Sequence, residues 1–519
     1  MAFFTKNTLK DFLLILFGSI LYILSFPKIS WSFLIWVAFI PFFKALENKP
    51  PGQRFRLGYL AGVLSSLGIF YWVTHAMHYY GGLDLITSIS LLFLLVFYLA
   101  LYFGVFAWLW GFFSPRDPFL YLWCPALWVG LEYLRGQFLT GFPWELTGHS
   151  QYNFLAIIQL SEFTGVFGLS FLILLVNQTL YRLLTRDPSL AGWKQKWTAT
   201  AVSLGLLLLA LGFGWWSLNH QKQKDRQAPS LQVAVVQGNI DQAAKWNPAF
   251  QEWTVANYLQ LTRKTLSQRP ELVIWPETAL PFYFLNEPRQ TPKIFQLARE
   301  MDASLLFGSP AVVHHPGEKP RFYNRAYLLH PEGRFTFYDK VHLVPFGEYV
   351  PLKKYLPFVG KMVEAVGDFS AGPDPLGLDH PKGKVGVLIC FETIFPELSR
   401  ALNKNGLDLL VNMTNDAWYG WTSAPYQHLS LLVFRSVENR VWTARAANTG
   451  FSVFIDASGR ITEKLPLFHS GTLCSPIPLR GEKTLYARYG DWLVFICGII
   501  FLVGVIKAFT KRKEGKVKS

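Results

Sequence analysis

Val385-Gly386-Val387-Leu388-Ile389-Cys390-Phe391-Glu392 is an apolar run that stops on a thiol. Its β-branched residues and its length read as a buried strand, with a helix expected from about Ile394. Strand ends are where α/β folds gather reactive groups. A thiol at a strand-to-helix turn faces the positive end of a helix dipole, and a nearby lysine is expected to lower its pKa further. Two more segments end alike: Leu272-Val273-Ile274-Trp275-Pro276-Glu277 closes on a carboxylate, and Phe335-Thr336-Phe337-Tyr338-Asp339-Lys340 on an amine. Taken singly, the cysteine reads as a small buried hydrophobe and the two charges as surface ion-pair partners. Their common placement favours a site.

Outward from this run, short apolar segments alternate with helical ones. Strands are expected at 231–236, 272–275, 304–308, 325–329, 334–338, 385–389, 409–412 and 452–455, and helices at 248–268, 291–301, 394–404 and 426–446. This alternation fits α/β or α+β layers over about 270 residues, enough for one core. No glycine-rich phosphate loop and no zinc-type His/Cys spacing is present.

The flanks are of another kind. Of 519 residues 51% are apolar and 17% aromatic, and only 16% are charged, against about 25% in an ordinary soluble domain. That excludes disorder, and four cysteines in such a length exclude a small disulfide scaffold. Residues 1–218 hold 13 basic and 8 acidic side chains, whereas 219–500 hold 30 and 25. No Asp, Glu, Lys or Arg occurs in the 31 positions between Asp84 and Arg116. With about 20 apolar residues needed per crossing, eight spans are expected, near 9–26, 29–46, 57–78, 86–113, 119–135, 155–181, 197–218 and 489–508. The domains are then a seven-helix membrane domain at 1–218, a catalytic domain at 219–488, and an eighth helix with a basic tail at 489–519.

Lys6, Lys10, Lys49, Arg54, Arg56, Arg116, Arg182, Arg186, Lys194, Lys196 and the Lys511–Lys518 cluster all fall on one side of such a bundle. The positive-inside rule makes that side, and both termini, cytoplasmic, with 219–488 opposite. The net charge of +15 is spread over loops and a tail rather than concentrated on the folded domain, which argues against nucleic acid as a partner. Glu132, Arg135, Glu145 and Glu162 near span ends either meet lipid headgroups or pair with one another. Cys390 and Cys474 share the outer domain, so a disulfide between them is the alternative to a free nucleophile.

Trp275-Pro276-Glu277-Thr278, the block Asp339 to Pro351 (Asp-Lys-Val-His-Leu-Val-Pro-Phe-Gly-Glu-Tyr-Val-Pro) and Cys390-Phe391-Glu392 resemble the Glu–Lys–Cys motifs of the nitrilase, or carbon-nitrogen hydrolase, superfamily. With Val236-Gln237-Gly238-Asn239-Ile240, Gly141-Phe142-Pro143-Trp144, Asn415-Asp416-Ala417-Trp418-Tyr419-Gly420 and eight spans, nearly the whole chain resembles the bacterial apolipoprotein N-acyltransferases. The resemblance implies a polytopic α-helical membrane bundle of eight spans carrying an α/β nitrilase-like domain, an αββα sandwich. It implies Cys390 as nucleophile, Glu277 as general base and Lys340 as oxyanion stabiliser, supported by Glu348, Phe391 and Glu392. Trp246 matches a tryptophan on a loop over the site, and Trp418 and Tyr419 are the other expected substrate contacts. One departure is Phe391, where the family commonly has tyrosine; a backbone N–H then most simply supplies the hydrogen bond.

The implied activity is transfer of a fatty acyl chain from a phospholipid donor to the α-amino group of a diacylglyceryl-modified apolipoprotein acceptor. It would be a ping-pong cycle through a Cys390 thioester at the bacterial inner membrane, with the catalytic domain periplasmic and no metal or organic cofactor. The aromatic loops at Trp246 and Trp418–Trp421 would meet membrane lipid. Competing readings are a membrane-tethered amidase that hydrolyses its acyl-enzyme and, outside enzymes, a transporter with an external binding domain.

Overall fold

The computed structural model describes residues 6–113, 117, 119–185, 193–349, 369–373 and 375–517. Arg116, Arg186, Val350, Pro351 and Lys518, named above, lie outside them, as do the side chains of Lys6, Lys511, Arg512, Lys513 and Lys516. The chain divides into one unit of Met1–Thr74, Leu85–Leu218 and Tyr489–Ser519, and another of His75–Asp84 and Asn219–Arg488.

The first unit is helical. Asn7–Leu24, Leu85–Trp110, Val166–Leu184 and Lys194–Gln227 are long and apolar enough to cross a membrane, and the bent pair Pro51–Phe70 and Trp72–Tyr80 makes a fifth if counted as one span. Ser32–Leu46, Leu155–Thr164 and Trp492–Ala508 are apolar but shorter, so among the described residues four or five spans meet the test by length and composition alone. Two expected spans are interrupted. That at 57–78 bends by 48° beyond Phe70. That at 155–181 breaks into three helices, Leu155–Ile158, Ser161–Thr164 and Val166–Leu184, the second break made by Gly165 at φ +60°, a conformation glycine adopts without steric cost.

Helix Pro51–Phe70 lies close along Leu85–Trp110 because Gly58 and Gly62 leave room: a Cβ on them would come within 2.4 Å of Ala107 and 2.7 Å of Ala100. Such small-residue contacts are how helices associate where lipid removes the hydrophobic drive. Glu132, Arg135 and Glu145 are buried within the unit. Thr147 N donates to Glu132 Oε1 at 2.6 Å, and Arg135 donates to the carbonyls of Trp144 and Glu145 at 3.0 and 3.2 Å. They bind the unit internally.

The second unit holds two six-stranded sheets. Sheet one is ordered β12-β1-β2-β3-β4-β5, from β1 (Ser230–Gln237), β2 (Leu272–Ile274), β3 (Ser304–Val313), β4 (Arg321–Leu329), β5 (Phe335–Asp339) and β12 (Gly471–Pro478). Sheet two is ordered β11-β10-β9-β8-β7-β6, from β6 (Leu378–His380), β7 (Gly383–Ile389), β8 (Leu409–Thr414), β9 (Thr443–Ala447), β10 (Val453–Ile455) and β11 (Ile461–Lys464). Each has a parallel centre, β1-β2-β3 and β7-β8-β9.

Alternation along the strands decides the layers, since successive side chains point to opposite faces. Val233, Val235, Leu272 and Ile274 join Val385, Val387, Ile389, Val411 and Met413 in one core between the sheets. Ala234, Val236, Val273 and Trp275 join Tyr258, Ile294 and Leu297, from helices Pro248–Arg263 and Thr291–Met301, in a second core.

The helix expected at 426–446 is two elements. It ends at Asn439, where Arg440 turns left-handed at φ +48°, and Thr443–Ala447 is strand β9 in the centre of sheet two. Its alanines favour a helix locally, and pairing on both sides overrides that preference. The strands β6, β11 and β12 were also not among those expected, and β3 and β4 run longer, as an antiparallel pair from Leu305–Leu329 to Val313–Arg321.

Candidate active site

Glu277 follows β2, Lys340 follows β5 and Cys390 follows β7. Glu277 sits on a turn that crosses close to β3. A Cβ on Gly308 would lie 2.3 Å from Thr278 N, and Thr278 itself has φ +47°. Its carboxylate accepts from Asn324 Nδ2 at 2.8 Å and from Asn415 N at 3.1 Å. Lys340 Nζ stands 3.6 Å from Glu277 Oε1 and about as close to both oxygens of Glu348 as a hydrogen bond allows, at 3.0 and 2.9 Å. Glu348 is fixed in turn by Val344 N at 2.8 Å and by Asn324 at 2.9 Å. Asn324 thus ties both carboxylates together. Burial of Lys340 favours its neutral form, but Glu348 and Glu277 outweigh that and hold its pKa above the usual lysine value; the ammonium stays charged.

Cys390 is buried and adopts φ +53°. For a residue with a side chain this costs roughly 1–3 kcal/mol, and such strain gathers at active sites. Burial raises the pKa of its thiol, the Glu277 carboxylate raises it further, and Lys340 and the Thr414 hydroxyl oppose them without prevailing. This corrects the expectation of a thiol acidified by a helix end. The turn after β7 is a short 3-10 segment, Cys390–Ile394, with the α-helix only from Pro396, and desolvation dominates. The resting group is a thiol, so nucleophilic chemistry here needs a base.

Of the supporting residues, Glu392 is fully buried. Its Oε1 accepts from Tyr338 Oη (2.8 Å), Val341 N (2.7 Å) and His342 N (3.1 Å), and its Oε2 from Ile389 N (2.6 Å). It therefore pins the segment after Lys340 to the end of β7. The Phe391 ring packs edge-on against Phe395 at 5.3 Å. The expected substrate aromatics divide. Tyr419 is buried, which raises the pKa of its hydroxyl. Trp246 and Trp418 are 39% and 37% exposed, and the Trp418 ring lies 5.6 Å from that of Tyr80. Cys390 and Cys474 are both free, with Cys474 on β12 near Gln232, so the disulfide alternative fails. Among the described residues no group of His, Cys, Asp and Glu is arranged to hold a metal.

Two family models match the chain: the apolipoprotein N-acyltransferase N-terminal domain over residues 18–179 and carbon-nitrogen hydrolase over 232–484. Apolipoprotein N-acyltransferase of Geobacter metallireducens is 46% identical over 494 residues, covering 94% of this chain and 93% of its own. That of Pseudomonas syringae is 32% identical, covering 90% and 91%. The chain belongs to the apolipoprotein N-acyltransferase family. It is an acyltransferase, and its second unit carries a nitrilase-like carbon-nitrogen hydrolase domain. A solved CN-hydrolase superfamily protein of Xanthomonas campestris is similar at 21% identity and TM-score 0.38, covering 51% of this chain and 96% of its own.

Several groups in this acyltransferase's site had not been singled out. Asn324 lies in the middle of β4 with no local signal; only the register of β4 on β5 brings it to Lys340, whose N–H donates to the Asn324 carbonyl at 2.9 Å. Lys245, next to Trp246, is buried and donates to the Glu277 carbonyl at 3.3 Å. Burial brings its pKa down to about 8, against the pull of Glu277 and Cys390. Asp416, His428 and Arg445 form a buried group behind Cys390. Asp416 belongs to the Asn415–Gly420 motif, but its partners come from a helix 12 positions and a strand 29 positions further along the chain.

Proposed function

We propose that this enzyme transfers a fatty acyl chain from a phospholipid to the α-amino group of the N-terminal S-diacylglyceryl cysteine of apolipoproteins, by way of a thioester on Cys390. The observation that carries this reading is the charge arrangement at the three strand ends: a protonated thiol beside a carboxylate and a lysine kept charged by two glutamates. Glu277 accepts the thiol proton as Sγ attacks the ester carbonyl. The new oxyanion is met by Lys340 Nζ and the Phe391 N–H, a pre-arranged field of the kind that usually contributes most to catalysis. As the C–O bond breaks, Glu277 returns its proton to the departing lysophospholipid oxygen. The acceptor amine then attacks the thioester. Glu277 takes its proton, the C–N bond forms, the C–S bond breaks and the thiol is restored.

Glu348 and Asn324 hold Lys340 and Glu277 at working distance, and Glu392 holds the segment that follows Lys340. Trp246, Trp418 and Tyr419 supply aromatic surface for acyl chains. The domains are 1–218, 219–488 and 489–519. Helices Ile35–Leu46, Leu120–Gln137 and Trp492–Val517 join the longer ones in an eight-span bundle at the bacterial inner membrane, with both termini cytoplasmic and the catalytic unit periplasmic, where both lipid substrates would be anchored.

The test is mass spectrometry of the Cys390 peptide after incubation of the full chain with phospholipid. A fatty acyl adduct that is discharged onto an added diacylated lipopeptide is expected. An adduct discharged only to water would make the enzyme a hydrolase. Lipopeptide acylation with no adduct at any time would remove the thioester.

A further inference from the structure

None of the transfer steps above uses the buried group behind the nucleophile, yet it reaches the nucleophile's own backbone. His428, fully buried in helix Ala424–Asn439, places Nε2 3.1 Å from the Cys390 carbonyl oxygen. A carbonyl only accepts, so Nε2 carries the proton. Burial and the adjacent Arg445 guanidinium hold the pKa of His428 below its usual value, against the pull of Asp416, so the ring is neutral with that single N–H. Its Nδ1 is then an acceptor for Arg445 Nη2, 3.1 Å away, with Asp416 Oδ1 at 3.0 Å.

Arg445 balances this crowding of acceptors. Its Nη2 is 2.6 Å from Asp416 Oδ2, its Nη1 donates to Asn412 at 2.7 Å and its Nε to the Phe451 carbonyl at 3.1 Å. Asn412 donates onward to the Leu388 carbonyl at 3.0 Å. One network therefore grips the end of β7 at Leu388 and at Cys390. The backbone it grips is the left-handed Cys390, which would relax if released. The peptide between Cys390 and Phe391 is trans, since the only cis bond among the described residues is Pro27–Lys28. In a planar trans peptide the C=O and the N–H point in opposite directions. Fixing the Cys390 oxygen fixes the aim of the Phe391 N–H.

We infer that His428, locked by Asp416 and Arg445, is a positioning residue that aims the Phe391 N–H at the oxyanion by holding the Cys390 carbonyl. The inference rests on Cys390 as the acyl carrier proposed above. It adds a division of labour: the charged side chains set the thiol, and the neutral imidazole sets the oxyanion donor. The signature is a split between two reactions of the same sulfur. Acylation by an ester builds an oxyanion, whereas alkylation by iodoacetamide does not.

The experiment uses the full-length chain and its His428→Leu, His428→Gln and His428→Asn variants, with thermal melts alongside. Acylation is read as the p-nitrophenolate burst from p-nitrophenyl butyrate, and alkylation as iodoacetamide labelling of Cys390. His428→Leu should slow the burst by about 10–100-fold, short of the roughly 10²–10³ for complete loss of an oxyanion donor, and change alkylation less than about threefold. His428→Gln, whose Nε2 can reach the imidazole Nε2 position, should recover most of the burst; His428→Asn, one atom shorter, should not.

Equal loss of burst and alkylation, a burst unaffected in His428→Leu, no difference between Gln and Asn, or failure of all three variants to fold would each overturn the inference. A wild-type burst without phospholipid acylation would instead sink the donor reading and leave the His428 comparison decisive. No burst and no adduct in the wild type would remove both.

Discussion

The two sheets of the catalytic unit have the same plan and contribute opposite chemistry. Sheet one supplies charges from β2, β4 and β5 and the turns that follow them. Glu277, Asn324, Lys340 and Glu348 lean on one another within 2.8–3.6 Å. Sheet two supplies the nucleophile and, behind it, a neutral imidazole with one carboxylate and one guanidinium that cancel. The charged cluster can change protonation during a reaction. The network of Asp416, His428 and Arg445 is built to stay as it is: Asp416, whose burial alone would raise its pKa, is instead held well below the usual range by the Arg445 guanidinium. In the proposed cycle Glu277 on sheet one carries the proton that the Cys390 thiol on sheet two gives up and regains, and each sheet ends on one left-handed residue at the site, Thr278 and Cys390.

The most severe break of this comparison is at the one atom the halves share. Cys390→Ala should abolish lipopeptide acylation while membrane insertion and thermal melting stay near wild type, because the residue contributes one small buried side chain. Acylation at a normal rate in this variant would end the assignment. On sheet one, Glu277→Gln keeps the Asn324 contact but cannot accept the thiol proton, so formation of the Cys390 adduct should fall below detection in a single-turnover assay. Adduct appearing at wild-type speed would locate the base elsewhere. Lys340→Ala should lower the rate of adduct formation by about 10²–10³, or roughly 3–4 kcal/mol, as expected for one oxyanion donor; a loss of less than tenfold would give that role to the backbone.

A smaller effect tests the boundary between the halves. Glu392 bridges them, and burial pushes its pKa up to about 7 against its hydrogen-bond donors and Lys340. The folded state then binds a proton that an unfolded chain releases near 4.3. Its contribution to stability is complete below that value and is lost as pH rises through about 7, on the order of 3 kcal/mol in total. His342 acts in the opposite sense: burial and Lys340 bring its pKa down to about 4, so its contribution grows as pH rises from 4 toward 6.5. Only a difference isolates Glu392. The melting temperature of Glu392→Gln relative to wild type should rise between pH 5 and pH 8; a flat difference would mean Glu392 is ionised throughout.

Much of the site was legible because Glu277, Lys340 and Cys390 each end an apolar run of their own and could be read from three short segments. The groups that hold them were not. Asn324 acts through strand register, and His428 acts through a helix that lands on Cys390 from 38 positions away. Neither relation leaves a local pattern. Strand β9, carrying Arg445, was hidden by its alanines, and β12 by distance from its partner β1 across the whole unit. In the helical unit, Gly165 was visible as a residue but not as a break, because glycine is also used for close helix contact at Gly58 and Gly62.

The mildest test concerns Phe391, which stands on sheet two where the family commonly has tyrosine. If a hydroxyl there mattered to catalysis, Phe391→Tyr should accelerate adduct formation several-fold. The structure favours a different account. The ring is buried edge-on against Phe395, with the His342 ring 6.1 Å away, so its packing is apolar, and a backbone N–H is indifferent to the side chain it carries. Phe391→Tyr should therefore change the rate by less than about threefold, well under one donor's usual worth. Phe391→Ala separates packing from catalysis. A ring that only fills the core would cost about 3–5 kcal/mol of stability on removal, with the adduct rate of the surviving folded protein unchanged. A ring that also steadies the oxyanion peptide would lose rate beyond the loss of folded protein. Thermal melts and single-turnover adduct rates on both variants decide, and a several-fold faster tyrosine variant would return the hydroxyl to the mechanism and weaken the backbone role that His428 is argued to serve.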